Sequence, residues 1–293
     1  MWDRFHPRFP PVWFAGLLSC VLPSCLLSVA MIPITLTIAG SDCSAGAGLQ
    51  ADLKTFQHFQ TFGLTVATCI VAETPNEVRS VHSVPASIVH DQLAILLESY
   101  PISAIKTGML PDEEIVRTVA DLLSAHPSIP LVVDPVMIAS TGDPLVSPQA
   151  IAAYRDSLFP RCTLLTPNLD EAAHLVGHPL IDRAGIEAAA EILAAQLGGA
   201  VLIKGGHLAG PECADLLHGP GQHRWFTAPR IDTAASHGTG CTFSAAITAA
   251  LARGEDLANA VATAKVYLGR TLAESLVPGG IPMLNQGTTL RAD

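Results

Sequence analysis

The chain has 293 residues, 49% of them hydrophobic and 14% charged, with a net charge of −10. A composition this apolar fills a sizeable core in one large or two small domains and excludes a disordered chain. The acidic balance, with no basic run, excludes nucleic acid as a partner, because that binding rests on Lys and Arg neutralising phosphates.

Residues 1–30 read differently from the rest. Arg4 and Arg8 precede an apolar run over 12–30 that Pro23 interrupts. Such a run has the character of a signal peptide or membrane anchor, and targeting segments are set aside before fold reasoning. Met31 directly precedes a strand-like stretch. The expectation is therefore an upstream extension over 1–30, from a misplaced start codon, followed by a single domain over 31–293 with no membrane segment. The seven cysteines, at positions 20, 25, 43, 69, 162, 213 and 241, never form a Cys-x-x-Cys pair. Scattered and odd in number, they read as reduced thiols of a cytoplasmic protein, not as disulfides or a zinc site.

Residues 34–39 alternate β-branched and apolar side chains and stop at Gly40, which predicts a first strand. A small-residue loop through Gly46 and Gly48 leads into a helix over 49–59, the opening of a βαβ unit. The glycine spacing at 40, 46 and 48 is not that of a dinucleotide fingerprint, and no Gly-Lys-Ser/Thr of a P-loop follows. Small side chains there let a ligand approach the backbone, or simply let the connection pack tightly. A second strand covers 64–72 and ends on Glu73. A carboxylate at the C-terminal end of a parallel strand lies where open α/β sheets bind ligands. Helices follow over 85–99 and 111–125, on either side of a short strand and turn at 104–109. Residues 130–134 form a buried parallel strand ending on Asp134. A turn at 141–144, a helix over 147–158 and a strand over 163–166 come next. Asn168 and Glu171, three apart at the head of the next helix, have the spacing of a capping box. Glu171 also suits a carboxylate aimed at hydrated Mg2+. A helix over 182–197, a strand over 200–204, a hairpin over 213–228 and a last helix over 257–276 complete the chain. Strands alternating with helices predict a mostly parallel sheet covered on both faces.

The stretch His237-Gly-Thr-Gly-Cys-Thr242 lies between a small polar segment and a run of helix formers over 245–252. Gly238 and Gly240 there expose backbone N–H groups at a helix start, where unpaired amides and the helix dipole favour an anion, usually phosphate. Cys241 enters the same space, and the helix terminus is expected to lower its thiol pKa. The purely structural alternative is a glycine-punctuated helix start with a buried cysteine.

The loops carry a resemblance. Ile38-Ala-Gly-Ser-Asp-Cys-Ser-Ala-Gly-Ala-Gly-Leu-Gln-Ala-Asp-Leu-Lys-Thr-Phe56, Lys106-Thr-Gly-Met-Leu110 and Val133-Asp-Pro-Val-Met137 are joined by Thr166-Pro-Asn-Leu-Asp-Glu-Ala172, Ile203-Lys-Gly-Gly-His207 and the stretch at 237–242. In this order, across residues 32 to about 275, the chain resembles the ribokinase-like superfamily. Within it, the match is to the hydroxymethylpyrimidine/phosphomethylpyrimidine kinases of thiamine biosynthesis. The resemblance implies a three-layer α/β/α sandwich with a mostly parallel central sheet. It implies ATP and Mg2+ as cofactors, and a pyrimidine alcohol and its monophosphate as substrates.

By the same resemblance, Gly238, Thr239, Gly240 and Cys241 form the anion hole for the transferred phosphoryl group. Cys241 stands where related sugar kinases carry an aspartate base. Asn168 and Glu171 act on Mg2+ and the ATP phosphates, with Asp134 as a second acidic neighbour and Lys204 near the nucleotide. Ala47, Asp52, Val71, Met109 and Val136 match the pocket of the pyrimidine. Where the family usually carries a glutamine after the second strand, this chain has Glu73, which as a carboxylate only accepts hydrogen bonds. That departure leaves a pyridoxal or pyridoxine kinase of the same superfamily as one alternative. A non-catalytic nucleotide-binding regulator is the other. The resemblance also implies a homodimer.

Overall fold

The computed structural model describes residues 32–137, 146–206, 208 and 210–287. The expected extension over 1–30, the turn at 141–144 and His207 lie outside the described residues.

Apolar runs and helical stretches alternate as β1 (Ile34–Asp42), α1 (Gly48–His58), β2 (Phe62–Thr74), β3 (Glu77–Ser83), α2 (Ala86–Ser99), β4 (Ala104–Thr107), α3 (Glu113–Ser124), β5 (Leu131–Val133) and α4 (Pro148–Ala153). They continue as β6 (Leu164–Leu165), α5 (Leu169–Val176), α6 (Arg183–Ala194), β7 (Ala200–Ile203), β8 (Glu212–Gly219), β9 (Gln222–Pro229), α7 (Thr239–Ala252) and α8 (Leu257–Ala273). The strands make one sheet in the order β3-β2-β1-β4-β5-β6-β7-β8-β9. The run from β2 to β7 is parallel, β3 is antiparallel at one edge, and β8 and β9 are antiparallel at the other.

Short, wholly apolar strands need cover on both faces. On one face α2 to α6 close over Leu36, Ile38, Ile105 and Val133, all fully enclosed. On the other, α7 and α8 close over Val132, Leu164 and Leu202, and α1 packs beside α7. Each such side chain contributes about 1.5–3 kcal/mol by leaving water, so the sheet centre is the chief source of stability. Helix starts follow their caps. The carboxylate of Asp112 accepts from the Ile115 amide at 3.0 Å, which fixes α3 two residues later than the proline-led start expected at 111. The helix expected over 147–158 is α4 followed by a π-helical turn over Tyr154–Leu158. There the buried Tyr154 hydroxyl donates to the Gly108 carbonyl and accepts from the Leu110 amide, both at 3.3 Å. β3 was not expected; six of its seven residues are exposed, so no apolar face marks it.

β1 has β2 on one side and β4 on the other, so the strand order reverses at β1. Ligands of open α/β sheets bind at such a reversal, beyond the C-terminal strand ends. Here those ends bring Asp42, Gly108, Asp134, Asn168 and Lys204 to one side of the sheet.

Candidate active site

A cleft of about 590 Å³ opens at this end of the sheet. Its floor is the start of α7. Gly238 caps that helix with φ 79°, a left-handed conformation, and a Cβ there would fall 1.9 Å from the Gly46 carbonyl oxygen. Only glycine meets both demands. The next residues, Thr239, Gly240 and Cys241, border the cleft at the helix start; the Thr239 amide donates to the Ser236 carbonyl at 3.3 Å, and the first amides of a helix that lack an internal partner are those of Gly240 and Cys241.

Acidic and basic groups meet this helix start from the strand ends. Lys204 donates to Asp134 Oδ1 at 2.8 Å, and the Ser244 hydroxyl, one turn into α7, donates to Asp134 Oδ2 at 2.9 Å. Burial works against the Asp134 charge, but Lys204, Lys106 and these hydrogen bonds hold its carboxyl below the usual aspartate range. Asn168 and Glu171 form the capping box: the Asn168 side chain accepts from the Glu171 amide at 2.8 Å, and Glu171 Oε2 accepts from the Asn168 amide at 2.9 Å. Glu171 Oε1 takes the Met137 amide at 3.1 Å. Capping and cleft-lining are thus one arrangement, since both residues also border the cleft. Burial pushes the Glu171 carboxyl up, Lys204 opposes the rise and Asp134 adds to it.

The loop between β1 and α1 wraps around Asp42, a residue the sequence reading left out of the site. Asp42 accepts from the Ser44 amide at 2.6 Å, the Gly46 amide at 3.0 Å, the Ala47 amide at 2.8 Å and His237 Nε2 at 2.9 Å. Burial alone would raise its pKa, yet the His237 bond and these donors bring it down to about 2. The Asp42–His237 bond spans 195 residues of chain, which no local pattern announces.

Two sequence expectations are corrected. The Cys241 thiol is not lowered by the helix terminus. Burial pushes it up to about 12; Lys106 opposes this, while Asp52 and Asp134 reinforce it. Asp52 does not line the cleft. It is fully enclosed, where Lys106 donates to it at 2.9 Å and Thr37 at 2.6 Å. Burial works against the Lys106 ammonium, but Asp52 beside it, with Cys241 and Asp134 beyond, keeps its pKa above the usual lysine value.

The other end of the cleft is apolar. Val71, Met109 and Val136 pack together there with Cys69 and Val78, and Ala47 completes the wall. Val136 holds φ 40°, a strained conformation for a β-branched residue, immediately beside the site. Glu73 projects into this end with its carboxylate within 4.8 Å of Asp42 and His237 ligand atoms. Burial raises its pKa, Asp42 raises it further and His237 opposes both. Apart from Asp52, every residue expected at the site borders this one cleft.

A three-layer α/β/α unit with a glycine-framed helix start at the strand ends defines a ribokinase-like protein. The sequence matches the phosphomethylpyrimidine kinase family over residues 42–283, and the chain belongs to that family. It is 42% identical over 245 residues to the hydroxymethylpyrimidine/phosphomethylpyrimidine kinase of Haemophilus influenzae, covering 82% of this chain and 91% of that protein. Among solved structures it is similar to the pyridoxal kinase of Staphylococcus aureus in complex with ADP. The TM-score is 0.81 at 35% identity, covering 90% of this chain and 96% of the other. It is also similar to the phosphomethylpyrimidine kinase of Clostridium difficile, with a TM-score of 0.73, 36% identity and coverage of 82% and 99%.

Proposed function

We propose that the chain transfers the terminal phosphoryl group of ATP to the hydroxymethyl oxygen of 4-amino-5-hydroxymethyl-2-methylpyrimidine and to the phosphate of its monophosphate, in thiamine diphosphate biosynthesis. The observation that carries this reading is the two-ended cleft: the first turn of α7, suited to an anion, faces an apolar ring slot that ends on Glu73. ATP use is supported by the ADP complex of the Staphylococcus aureus relative.

Phosphoryl transfer asks the protein for position and charge stabilisation more than for covalent chemistry. The amides of residues 238–241 receive the charge of the moving phosphoryl group. Lys204, fixed by Asp134, neutralises phosphate oxygens beside them. The apolar wall of Val71, Met109 and Val136 holds the ring, and Glu73 accepts from its exocyclic amine. With its pKa near 12, Cys241 is a neutral thiol at physiological pH and acts by positioning the attacking hydroxyl, not as its base.

The acidic pair also suits Mg2+. Each Glu171 oxygen already accepts one backbone amide, and Asp134 is paired with Lys204 and Ser244. Such carboxylates have capacity left for bound water rather than for a bare ion, and Mg2+ characteristically keeps its waters. Asp134 and Glu171 would hold the hydrated ion, which supplies positive charge to the phosphates when bound.

A second reading, pyridoxal kinase, is favoured by the TM-score of 0.81 to the Staphylococcus aureus enzyme. Turnover with ATP and each alcohol, followed by mass spectrometry of the product, decides between them. Phosphorylated hydroxymethylpyrimidine and its diphosphate are expected. Faster turnover of pyridoxal overturns the pyrimidine reading, and transfer to neither alcohol overturns the kinase reading. Among the described residues no helix is long and apolar enough to cross a membrane, and a cytoplasmic enzyme is proposed. A homodimer is proposed on the family resemblance alone, and analytical ultracentrifugation would report it.

A further inference from the structure

The cleft works only if two loops keep their register. The 42–48 loop borders the acceptor, and the 237–241 loop borders the phosphoryl group. Asp42 joins them through His237, and the Gly46 carbonyl rests against Gly238. A third tie comes from the C-terminal segment. Gln286 Nε2 donates to the Gly46 carbonyl at 3.0 Å and to Thr242 Oγ1 at 3.1 Å, with the side chain buried. Both amide hydrogens are thereby used, one on each loop system. The reversed amide would set its oxygen against the Gly46 carbonyl, two acceptors facing each other. The segment is strapped to α8 and to the turn that follows it. The Tyr267 hydroxyl donates to the Gln286 carbonyl at 2.6 Å, the Asn285 amide donates to the Thr271 carbonyl at 3.2 Å, and Met283 and Leu276 exchange backbone bonds at 2.8 Å. The family match ends at residue 283, so Gln286 lies beyond it.

We infer that Gln286 is a positioning residue for phosphoryl transfer. Its amide clamps the acceptor loop to the first turn of α7, and the Tyr267 strap holds the clamp in place. Gln286 does not border the cleft and touches no reacting atom. Its effect is the alignment of the alcohol with the phosphoryl group, where a displacement of about 1 Å costs on the order of a hundredfold in rate. The inference rests on the kinase reading above.

The test compares wild type with Gln286→Met, which keeps the side-chain length and removes both donors, and with Tyr267→Phe, which releases the strap. ADP and phosphorylated alcohol are quantified together, with thermal melts as a control. For Gln286→Met, kcat is expected to fall about tenfold or more with little change in KM for ATP. The ratio of ADP to phosphorylated alcohol is expected to rise, because water then competes for the phosphoryl group and releases inorganic phosphate. Tyr267→Phe should move both quantities the same way by less, and it serves alone if Gln286→Met does not fold. A role in stability only would lower the melting temperature and leave kcat and that ratio unchanged, and this result overturns the inference alone. A wild-type chain that phosphorylates neither alcohol overturns the kinase reading and this role with it.

Discussion

A cysteine in the first turn of a helix ordinarily titrates low, because unpaired amides and the helix dipole favour its thiolate. At Cys241, half-buried where it borders the cleft, desolvation outweighs that effect, and the thiol is pushed up to about 12. At pH 8 only about one molecule in ten thousand then carries the thiolate. Alkylation of Cys241, mapped by mass spectrometry, should be slow at neutrality and keep rising to pH 10, while the exposed Cys43 reacts readily. A rate for Cys241 that levels off near pH 7 would restore it as a base. Glu73 titrates the other way from most surface carboxylates, because burial and Asp42 raise its pKa above 4.5. Its proton is therefore retained to higher pH than that of an ordinary glutamate and lost as pH rises through the raised value. A protonated carboxyl donates as well as accepts, as an amide does. Wild-type kcat/KM for the aminopyrimidine should rise as pH falls through this window, whereas Glu73→Gln should be flat and exceed wild type at pH 8. One buried polar group left unpaired costs roughly 1–3 kcal/mol, so the gain is about one to two powers of ten. Identical pH profiles in both proteins would remove Glu73 from the ring contact.

Among the elements, α7 has the most demanding start. A Cβ on Gly240 would meet Lys204 Nζ at 3.2 Å and Asp134 Oδ2 at 3.7 Å. A carboxylate there would capture Lys204 and repel phosphate from the helix terminus. Gly240→Asp should lose turnover by several powers of ten while the far-ultraviolet circular dichroism stays that of wild type; near-normal rates would sink the anion-hole assignment. The helix start in the same stretch was legible in the sequence, because glycines precede a run of helix formers, and the structure begins α7 at Thr239 with Gly238 as its cap. The buried strands were legible too, since β5 and β7 are unbroken apolar runs. β3 was not. It carries Val78 and Val81 three apart among polar residues, a spacing that does not alternate, and only its pairing with β2 makes it a strand.

At the scale of the whole molecule, what sequence reasoning missed is what joins distant parts of the chain. Residue types near the cleft follow from motifs at the strand ends. The Asp42–His237 bond and the Gln286 tie to Gly46 span 195 and 240 residues, and each depends on the loops having already folded. Asp52 was misassigned for the same reason: its position on α1 suits a pocket wall, and only the arrival of Lys106 from β4 shows that it is enclosed. All of these ties lie within the unit Ile32–Asp293, and the first strand begins at Ile34. The family match itself begins at residue 42. Every side chain assigned here to transfer or alignment is therefore supplied without residues 1–30. A chain starting at Met31 should be expressed as a folded protein with kcat and KM within about twofold of the full chain, since substitutions away from named contacts usually change stability by less than about 0.5 kcal/mol. Parallel expression, thermal melts and turnover of the two chains check this. Activity confined to the longer chain, or recovery of the longer chain with membranes from its native host, would mean that residues 1–30 have a role of their own.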